Sequence, residues 1–323
     1  MIAPLEFEKG VGELEARLAE LRRRRTTGDK DAESEIARLE GRLQRLLQQV
    51  YRRLGPLQRL QVARHPDRPG AGTCITALVE GYRPLLTEPS TIDGVVVLGG
   101  VGRYRGYTVV ALGVEMAGSK PDDDRTVPPD DASGRERRMR RLLALAGSFD
   151  LPLLVFVAMT GEDHANGART GTSARFDHTV AAAAVMEVSF RLTAPMIAVV
   201  TGAMTGAGAG GLLAGDRVLM LEHAVITPLA PEAAAAALWE DEGQTRAAAE
   251  ALKLTAPDMA ALGVVDEVIL EPPGGAHRHP DATIGAIGDA IGKELRTLMD
   301  VPGPRRLAQR HERLLAMGTR EPE

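Results

Sequence analysis

The feature that most constrains the fold is a glycine-rich stretch between residues 194 and 221. It opens with an apolar run, Met196 to Val200, whose boundaries at Pro195 and Gly202 predict a short buried strand. A helix-compatible segment and a second predicted strand, Arg217 to Leu221, end the stretch. Between them, five glycines fall within ten residues, at Gly202, Gly206, Gly208, Gly210 and Gly211. A strand, glycine turn and helix in this order leave backbone N–H groups facing outward, where they can bind an anion or a developing oxyanion.

Length and composition indicate a soluble globular protein. The 323 residues suffice for one large or two small domains, and 44% hydrophobic with 26% charged residues is an ordinary composition. Cys74 is the single cysteine, which excludes a disulfide framework or a cysteine zinc ribbon within this sequence. The sequence shows neither a signal-peptide pattern nor an apolar run long enough to cross a membrane. We therefore expect a cytoplasmic protein that binds no membrane.

The net charge of −5 is unevenly distributed along the chain. Residues 1–70 carry 15 lysines and arginines against 11 acidic residues, so this end is basic. Nucleic-acid binding favours a one-sided basic stripe with aromatic stacking residues. Here the charges alternate in sign along predicted helices, and aromatic residues make up only 3% of the sequence. The pattern therefore favours a solvated helical surface over a nucleic-acid interface.

The first residues are predicted to form a helical hairpin arm. Apolar residues recur at helical spacing in two segments, which the turn residues Thr26 to Asp29 separate and which Gly55-Pro56 ends. Two helices alone bury little surface, so their apolar stripe is expected to lie on the body of the protein or on a partner. We place the arm and its connecting segment at 1–70 and the main domain at 71–323.

The main domain alternates strand and helix patterns. Val95 to Leu98 and Tyr107 to Leu112 predict paired strands around a turn at Arg105-Gly106. A strand, a glycine-containing loop and a helix then occur twice, over residues 151–192 and 195–216. This alternation predicts α/β layers with a partly parallel sheet.

Two long polar segments, 115–134 and 159–173, are predicted loops. The second contains Glu162-Asp163-His164, which could supply an acid/base set or a metal site. Adjacent residues do not easily converge on one ion, so the pattern favours a solvated loop. His277 and His279 lie in a Pro/Gly loop without a third ligand nearby, which favours a structural or contact role over metal binding.

The glycine turn also fits a weaker motif. Gly206, Gly208 and Gly211 spell the dinucleotide pattern G-x-G-x-x-G after a strand. The acidic residue that should follow about 20 positions later would be Glu232, which falls in or beside an Ala-rich helix instead of at a strand end. Because that context is wrong, an anion or oxyanion site remains the favoured interpretation of the turn.

Five segments, taken in their order and spacing, indicate a family. The most specific are VARHPDRP at 62–69 and EPPGGAHRHP at 271–280. The others are LEFEKGVGELEARLAEL, VVVLGGVGRYRG and GDRVLML, which begin at Leu5, Val95 and Gly215. Together they resemble the α subunit of bacterial acetyl-CoA carboxylase carboxyltransferase over essentially the whole chain. The resemblance implies an α/β, crotonase-like spiral of ββα units preceded by the helical arm.

The resemblance also implies an activity. A carboxyl group would pass from carboxybiotin, delivered on a separate biotin carrier protein, to acetyl-CoA or a related acyl-CoA, giving malonyl-CoA for fatty acid biosynthesis. It implies a β-type partner subunit that carries the zinc ribbon, an α2β2 assembly, and no metal in this chain. The chemistry needs a ureido oxyanion and a thioester enolate to be stabilised, and two backbone N–H holes, one per subunit type, would do this.

The turn departs from the family pattern. Where the family has Gly-Glu-Gly-Gly-Ser-Gly-Gly-Ala, residues 202–209 read Gly-Ala-Met-Thr-Gly-Ala-Gly-Ala. The glycine pair expected to form the hole is therefore Met204-Thr205, unless a shifted alignment gives that role to Gly210-Gly211. We predict that the backbone of Met204, Thr205 and Gly206 forms the catalytic oxyanion hole. Substrate-binding positions are predicted at Gly161, His164, Gly167, Gly202 and Gly208.

Two more loops depart from the pattern. The family's Pro-Gly-Ala-Tyr-Pro-Gly element is replaced by Met159 to Gly167, and a basic segment is replaced by Val114 to Lys120. These changes keep two other hypotheses open. The chain could be a catalytically degenerate α-like subunit that scaffolds or regulates a carboxylase complex. It could also be an acyl-CoA decarboxylase or hydrolase, which would turn over without biotin.

Overall fold

The computed structural model describes residues 5–26, 32–86, 91–92, 95–116, 132–158, 183–205 and 207–318. The α-helices are α1 (Lys9–Thr26), α2 (Ala32–Tyr51), α3 (Pro56–Ala63), α4 (Ala71–Leu78), α5 (Ala132–Ser148), α6 (183–191), α7 (Pro231–Trp239), α8 (Thr245–Ala251), α9 (Ala256–Ala261), α10 (Pro280–Met299) and α11 (Gly303–Leu315). The strands are β1 (Glu80–Pro84), β2 (Thr91–Ile92), β3 (Val95–Tyr104), β4 (Tyr107–Met116), β5 (Leu153–Ala158), β6 (Met196–Val200), β7 (Ala203–Thr205), β8 (Arg217–Leu221), β9 (Val225–Thr227) and β10 (Glu267–Ile269). Short 3-10 helices occupy Glu6–Glu8, Ala207–Leu213 and Glu242–Gln244.

The N-terminal arm consists of α1 and α2, which pack along each other. The far part of the arm buries Leu18 and Leu21 of α1 against Ile36 and Leu39 of α2. Nearer the body, apolar side chains of both helices and of the residues that follow pack around Val62 of α3. Part of the apolar stripe is therefore buried between the two helices, because two amphipathic helices can cover each other, and part packs on the body, one of the two places expected.

The main sheet has eight strands within the described residues, in the order β1-β3-β4-β5-β6-β8-β10 with β2 beside β3. The predicted hairpin of β3 and β4 is confirmed, and its turn residues Arg105 and Gly106 have φ values of 46° and 92°, as two-residue hairpin turns require. From β4 to β10 every pairing is parallel. β5 and β6 are buried at every position, as expected for parallel strands covered on both faces.

The glycine-rich stretch differs from its prediction in two places. The segment Ala203–Thr205 is a strand, β7, which pairs in parallel with β9 in a separate two-stranded sheet. The expected α-helix is the 3-10 helix Ala207–Leu213 instead. Glycine is a poor helix former, and Gly211 packs so closely on α6 that a Cβ there would lie 2.8 Å from the backbone nitrogen of Met186.

The predicted loops are only partly described. The loop at 115–134 is shorter than expected, since β4 extends to Met116 and α5 begins at Ala132. The residues between these ends, and the whole of 159–173, lie outside the described residues.

The C-terminal helices close the amino ends of the parallel strands. Arg310 of α11 is 1% exposed and donates to both carboxylate oxygens of Asp216, at 2.9 and 2.7 Å. It also donates to the backbone oxygens of Ser189, Leu192 and Ala194, and so joins α11 to β8 and to the end of α6. No helix in the described ranges is both long and apolar enough to cross a membrane.

Candidate functional site

The eight predicted site residues fall partly outside the described residues. Those outside are Gly161, His164, Gly167 and Gly206, and their roles remain predictions. Of the other four, Gly202, Met204 and Thr205 lie between the end of β6 and the 3-10 helix, and Gly208 lies within that helix. The site that can be built from the structure is therefore the turn that carries β7.

The pairing of β7 with β9 decides where the backbone amides of the turn point. In a parallel ladder, every second residue directs its N–H and C=O groups toward the neighbouring strand. The Val225 N–H donates to the Gly202 oxygen at 3.2 Å, and Ala203 to Thr205 stand opposite Val225 to Thr227. The backbone N–H and C=O groups of Gly202 and Met204 therefore point toward β9, and the N–H group of Thr205 points away from it. Among the described residues β7 pairs with β9 alone, so its second edge, here named the open edge, has no strand partner there.

The side chains of β7 alternate between two environments. Met204 is 4% exposed and packs in the main core of the sheet. Ala203 faces the opposite side and packs in a smaller core with Leu60 of α3 and Ala249 of α8. Thr205 is half-buried, and its Oγ1 is buried without a hydrogen-bond partner among the described residues. The methionine therefore fills core volume, while the threonine leaves a buried hydroxyl unsatisfied beside the open edge.

A buried arginine holds the start of this turn. Arg68 follows α3, and its guanidinium donates to the backbone oxygen of Thr201 through Nε at 3.0 Å and Nη2 at 2.7 Å. The same group forms a bidentate pair with Glu271 at 2.9 and 2.8 Å, and both side chains are fully buried. Glu271 also accepts from the N–H groups of His223 at 3.0 Å and Ala276 at 2.7 Å. The pair thus joins the carboxyl ends of β6, β8 and β10, which fixes the point from which the turn leaves the sheet.

The pKa of Glu271 reflects this pairing. Burial alone would raise the pKa of the carboxyl group, but the charge and hydrogen bonds of Arg68 lower it to about 2. The carboxylate therefore stays ionised in the folded protein near neutral pH. A buried pair whose hydrogen bonds are all made is costly to break, because removing one partner leaves a buried charge without compensation.

Two histidines stack beside this pair. The rings of His65 and His277 lie 4.2 Å apart between centroids, at 23° to each other. His277 is 3% exposed, and neither ring nitrogen has a hydrogen-bond partner among the described residues. Burial, together with His65 and Arg68, lowers the pKa of His277 to about 2, so its ring is neutral. The ring packs on His65 beside the Arg68–Glu271 pair. This position is consistent with the structural or contact role that the sequence favours over metal binding.

The same loop anchors the N-terminal arm. Arg278 is paired with Glu8 at 3.0 Å and with Glu15, and Tyr51 donates to Glu8 at 2.8 Å. The sequence interpretation missed this network. The available signal was that Arg68, Glu8 and Arg278 stand in the segments of family resemblance, but the contacts between those segments appear only in the folded chain.

A cavity lies elsewhere in the fold. It has a volume of about 690 Å³ and is lined by charged side chains at the amino ends of β8 and β10, among them Arg217, Asp266, Lys293 and Arg313. The turn follows the carboxyl end of β6, so this cavity lies at the opposite end of the parallel strands. Within the described residues no group of three or more His, Cys, Asp and Glu side chains could hold a metal ion.

The structure also bears on two other interpretations of the turn, namely a dinucleotide-binding motif and an oxyanion hole at Gly210-Gly211. Glu232 lies in the first turn of α7 and pairs with Arg64 at 2.6 Å, so it does not follow a strand as a ribose-binding acid would. Gly211 is explained by its close packing on α6, and Gly210 lies in the same 3-10 helix. Neither observation favours these glycines as the ligand-binding pair.

Comparison with known proteins places this geometry in a family. The sequence profile described as acetyl co-enzyme A carboxylase carboxyltransferase-like matches residues 4–318. The acetyl-coenzyme A carboxylase carboxyl transferase subunit alpha of Gluconacetobacter diazotrophicus is 39% identical over 316 residues, which are 97% of each chain. The subunit of the same name from Sphingopyxis alaskensis is 38% identical over 318 residues, covering 98% of this chain and 99% of that protein.

Solved structures support the fold. A Pseudomonas malonate decarboxylase hetero-dimer contains a chain with a TM-score of 0.53 and 17% identity, and the match covers 76% of this chain and 98% of that chain. A malonate decarboxylase hetero-tetramer in complex with coenzyme A gives the same TM-score at 15% identity, over 75% of this chain and 92% of that chain. These likenesses and the sheet topology confirm the α/β, crotonase-like fold. The profile match and the full-length relatives show that the chain belongs to the acetyl co-enzyme A carboxylase carboxyltransferase-like family.

Proposed function

We propose that this chain is the alpha-type subunit of a biotin-dependent acyl-CoA carboxyltransferase. It transfers a carboxyl group from carboxybiotin to acetyl-CoA, giving malonyl-CoA, or to a related acyl thioester. The observation that carries the proposal is the match, over 97% of the chain, to relatives named for this activity. Its geometric support is the Arg68–Glu271 pair, which joins two of the resembling segments and holds the turn where the site is predicted.

The residues of the turn fit a role in binding an anionic oxygen. The carboxyl group would leave the ureido nitrogen of carboxybiotin and bond to the carbon of the thioester, and the proton that this carbon gives up would end on the freed nitrogen. The chain's contribution is to hold donors where negative charge develops on oxygen. In the predicted set of Met204, Thr205 and Gly206, the N–H of Thr205 faces the open edge, while Met204 fixes the strand by packing in the core. Gly161, His164, Gly167, Gly202 and Gly208 are proposed to shape the walls of the substrate site.

Protein partners belong to the same proposal. The relatives are named as alpha subunits, and we propose a β-type subunit bearing the zinc ribbon, a separate biotin carrier protein and an α2β2 assembly in the cytoplasm.

The test is carboxyl transfer in the reverse direction. The chain is co-purified with its β-type partner, and malonyl-CoA and free biotin are supplied. We expect acetyl-CoA to form only when both subunits and biotin are present. The controls are each subunit alone and the complex without biotin.

The other outcomes are equally informative. Release of acetyl-CoA without biotin would overturn the proposal in favour of a decarboxylase or hydrolase. A stable complex without turnover on any acyl-CoA tested would overturn it in favour of a scaffolding or regulatory subunit.

A further inference from the structure

We infer that the hydroxyl group of Thr205 is a second hydrogen-bond donor of the proposed site, which acts with the N–H of the same residue on an anionic oxygen of the bound substrates. The inference rests on the proposed function and adds a side-chain donor to a hole otherwise built from backbone. It concerns a position where this chain has threonine and the family pattern has glycine.

The first support is the unsatisfied state of the hydroxyl. Thr205 Oγ1 is buried and has no hydrogen-bond partner among the described residues. A buried hydroxyl without a partner is unfavourable for folding, because it gives up its hydrogen bonds to water and receives none in return. A group in this state at a ligand-binding turn is explained if its partner is the ligand.

The second support is the backbone next to it. The ladder with β9 turns the Thr205 N–H toward the open edge of β7, where no strand accepts it among the described residues. The amide of Thr205 therefore has no strand partner among the described residues, and the hydroxyl of the same residue has no hydrogen-bond partner there. Both groups donate hydrogen bonds, and two donors together suit an anionic oxygen better than a neutral one.

The third support is a matched threonine across the ladder. Thr227 stands opposite Thr205 in the register of β7 and β9. It is 2% exposed, and its Oγ1 donates to the backbone oxygen of Leu229 at 2.6 Å. The Thr227 hydroxyl therefore bonds within the fold, whereas the Thr205 hydroxyl has no partner among the described residues.

The experiment compares three variants of the full chain in the complex with its partner. Thr205→Val removes the hydroxyl but keeps the amide and the branched shape, Thr205→Ser keeps the hydroxyl, and Thr227→Val is the structural control. Thermal unfolding of each purified chain comes first. We expect Thr205→Val to melt at or above the wild-type temperature and Thr227→Val to melt below it.

Reverse carboxyl transfer from malonyl-CoA to biotin comes second. We expect Thr205→Val to lower kcat by about 10²-fold, the effect of losing one oxyanion donor, with little change in KM for malonyl-CoA. Thr205→Ser should recover most of the rate. A Thr205→Val complex with unchanged kcat, or a Thr205→Val chain that melts as low as Thr227→Val, would overturn the inference. An inactive wild-type complex would instead overturn the proposed function, while the melting comparison would still decide whether the hydroxyl serves the fold.

Discussion

At the scale of single residues, Met204 shows how a change in sequence can be absorbed by the core. Its side chain occupies a position where the family pattern has glycine, and at 4% exposure it is enclosed by the main core. The backbone of the turn is therefore braced by a large side chain. Restoring glycine at Met204 would remove that packing along with the side chain, so such a variant would test stability as much as chemistry.

We predict that Met204→Ala lowers the free energy of unfolding by about 2–5 kcal/mol, because it leaves a cavity in the core. Urea unfolding of the purified chain measures the change. Met299→Ala is the matched control, since Met299 is 41% exposed, and it should change stability by about 0.5 kcal/mol or less. Equal effects of the two substitutions would show that Met204 is not packed as described.

At the scale of elements, the Arg68–Glu271 pair determines how three strand ends meet. It binds the backbone of Thr201 after β6, and Glu271 after β10 accepts the N–H of His223 after β8. Because both side chains are completely buried, their mutual hydrogen bonds are needed to offset the cost of removing two charges from water. The pair is therefore a positioning device for the turn.

We predict that Glu271→Gln destabilises the chain by about 3–5 kcal/mol, because it leaves the buried Arg68 without a counter-charge. Chemical unfolding provides the measurement. The control is Glu20→Gln, which breaks an exposed pair with Arg24 and should cost about 0.5 kcal/mol or less. If Glu271→Gln lowers the free energy of unfolding no more than the control does, the Arg68–Glu271 pair is not a major stabilising contact.

At the scale of the whole molecule, buried neutral histidines link stability to pH. Burial lowers the pKa of His277 to about 2 and also lowers that of His223. Below pH 6.5 the unfolded chain binds protons at these two positions more readily than the folded chain does. Stability is therefore fully present above about pH 6.5 and falls as the pH is lowered. Glu271, with its pKa of about 2, adds to this loss only below its unfolded value of 4.5.

We predict that His277→Phe flattens the decline in unfolding free energy between pH 6.5 and pH 4.5. The wild-type slope should be steeper by up to about 1.4 kcal/mol per pH unit, the value for one proton. Urea unfolding at several pH values gives the slopes. His311→Phe, at an exposed histidine, is the control. An unchanged slope in His277→Phe would mean that this ring is not the group responsible.

Much of this organisation could be predicted from local sequence. The apolar runs of β5 and β6 predict buried parallel strands because both faces of such strands are covered, and Arg105-Gly106 predicts the hairpin because glycine tolerates positive φ. The position of the site, at a glycine turn after β6, stays a prediction. The strand β7 could not be predicted, because three residues, Ala203 to Thr205, carry too little periodicity to distinguish a strand from a turn.

The sequence by itself determined the α/β class, the helical arm, the parallel strands and, through its resembling segments, the family. Those properties depend on local periodicity and on ordered motifs, which one chain displays directly. Only the folded chain brings Arg68 to Glu271 across 203 positions of sequence and turns Met204 into the core. The same is true of the Thr205 hydroxyl, which has no partner among the described residues. Such facts depend on which strand pairs with which and in what register, and only the folded chain fixes that register.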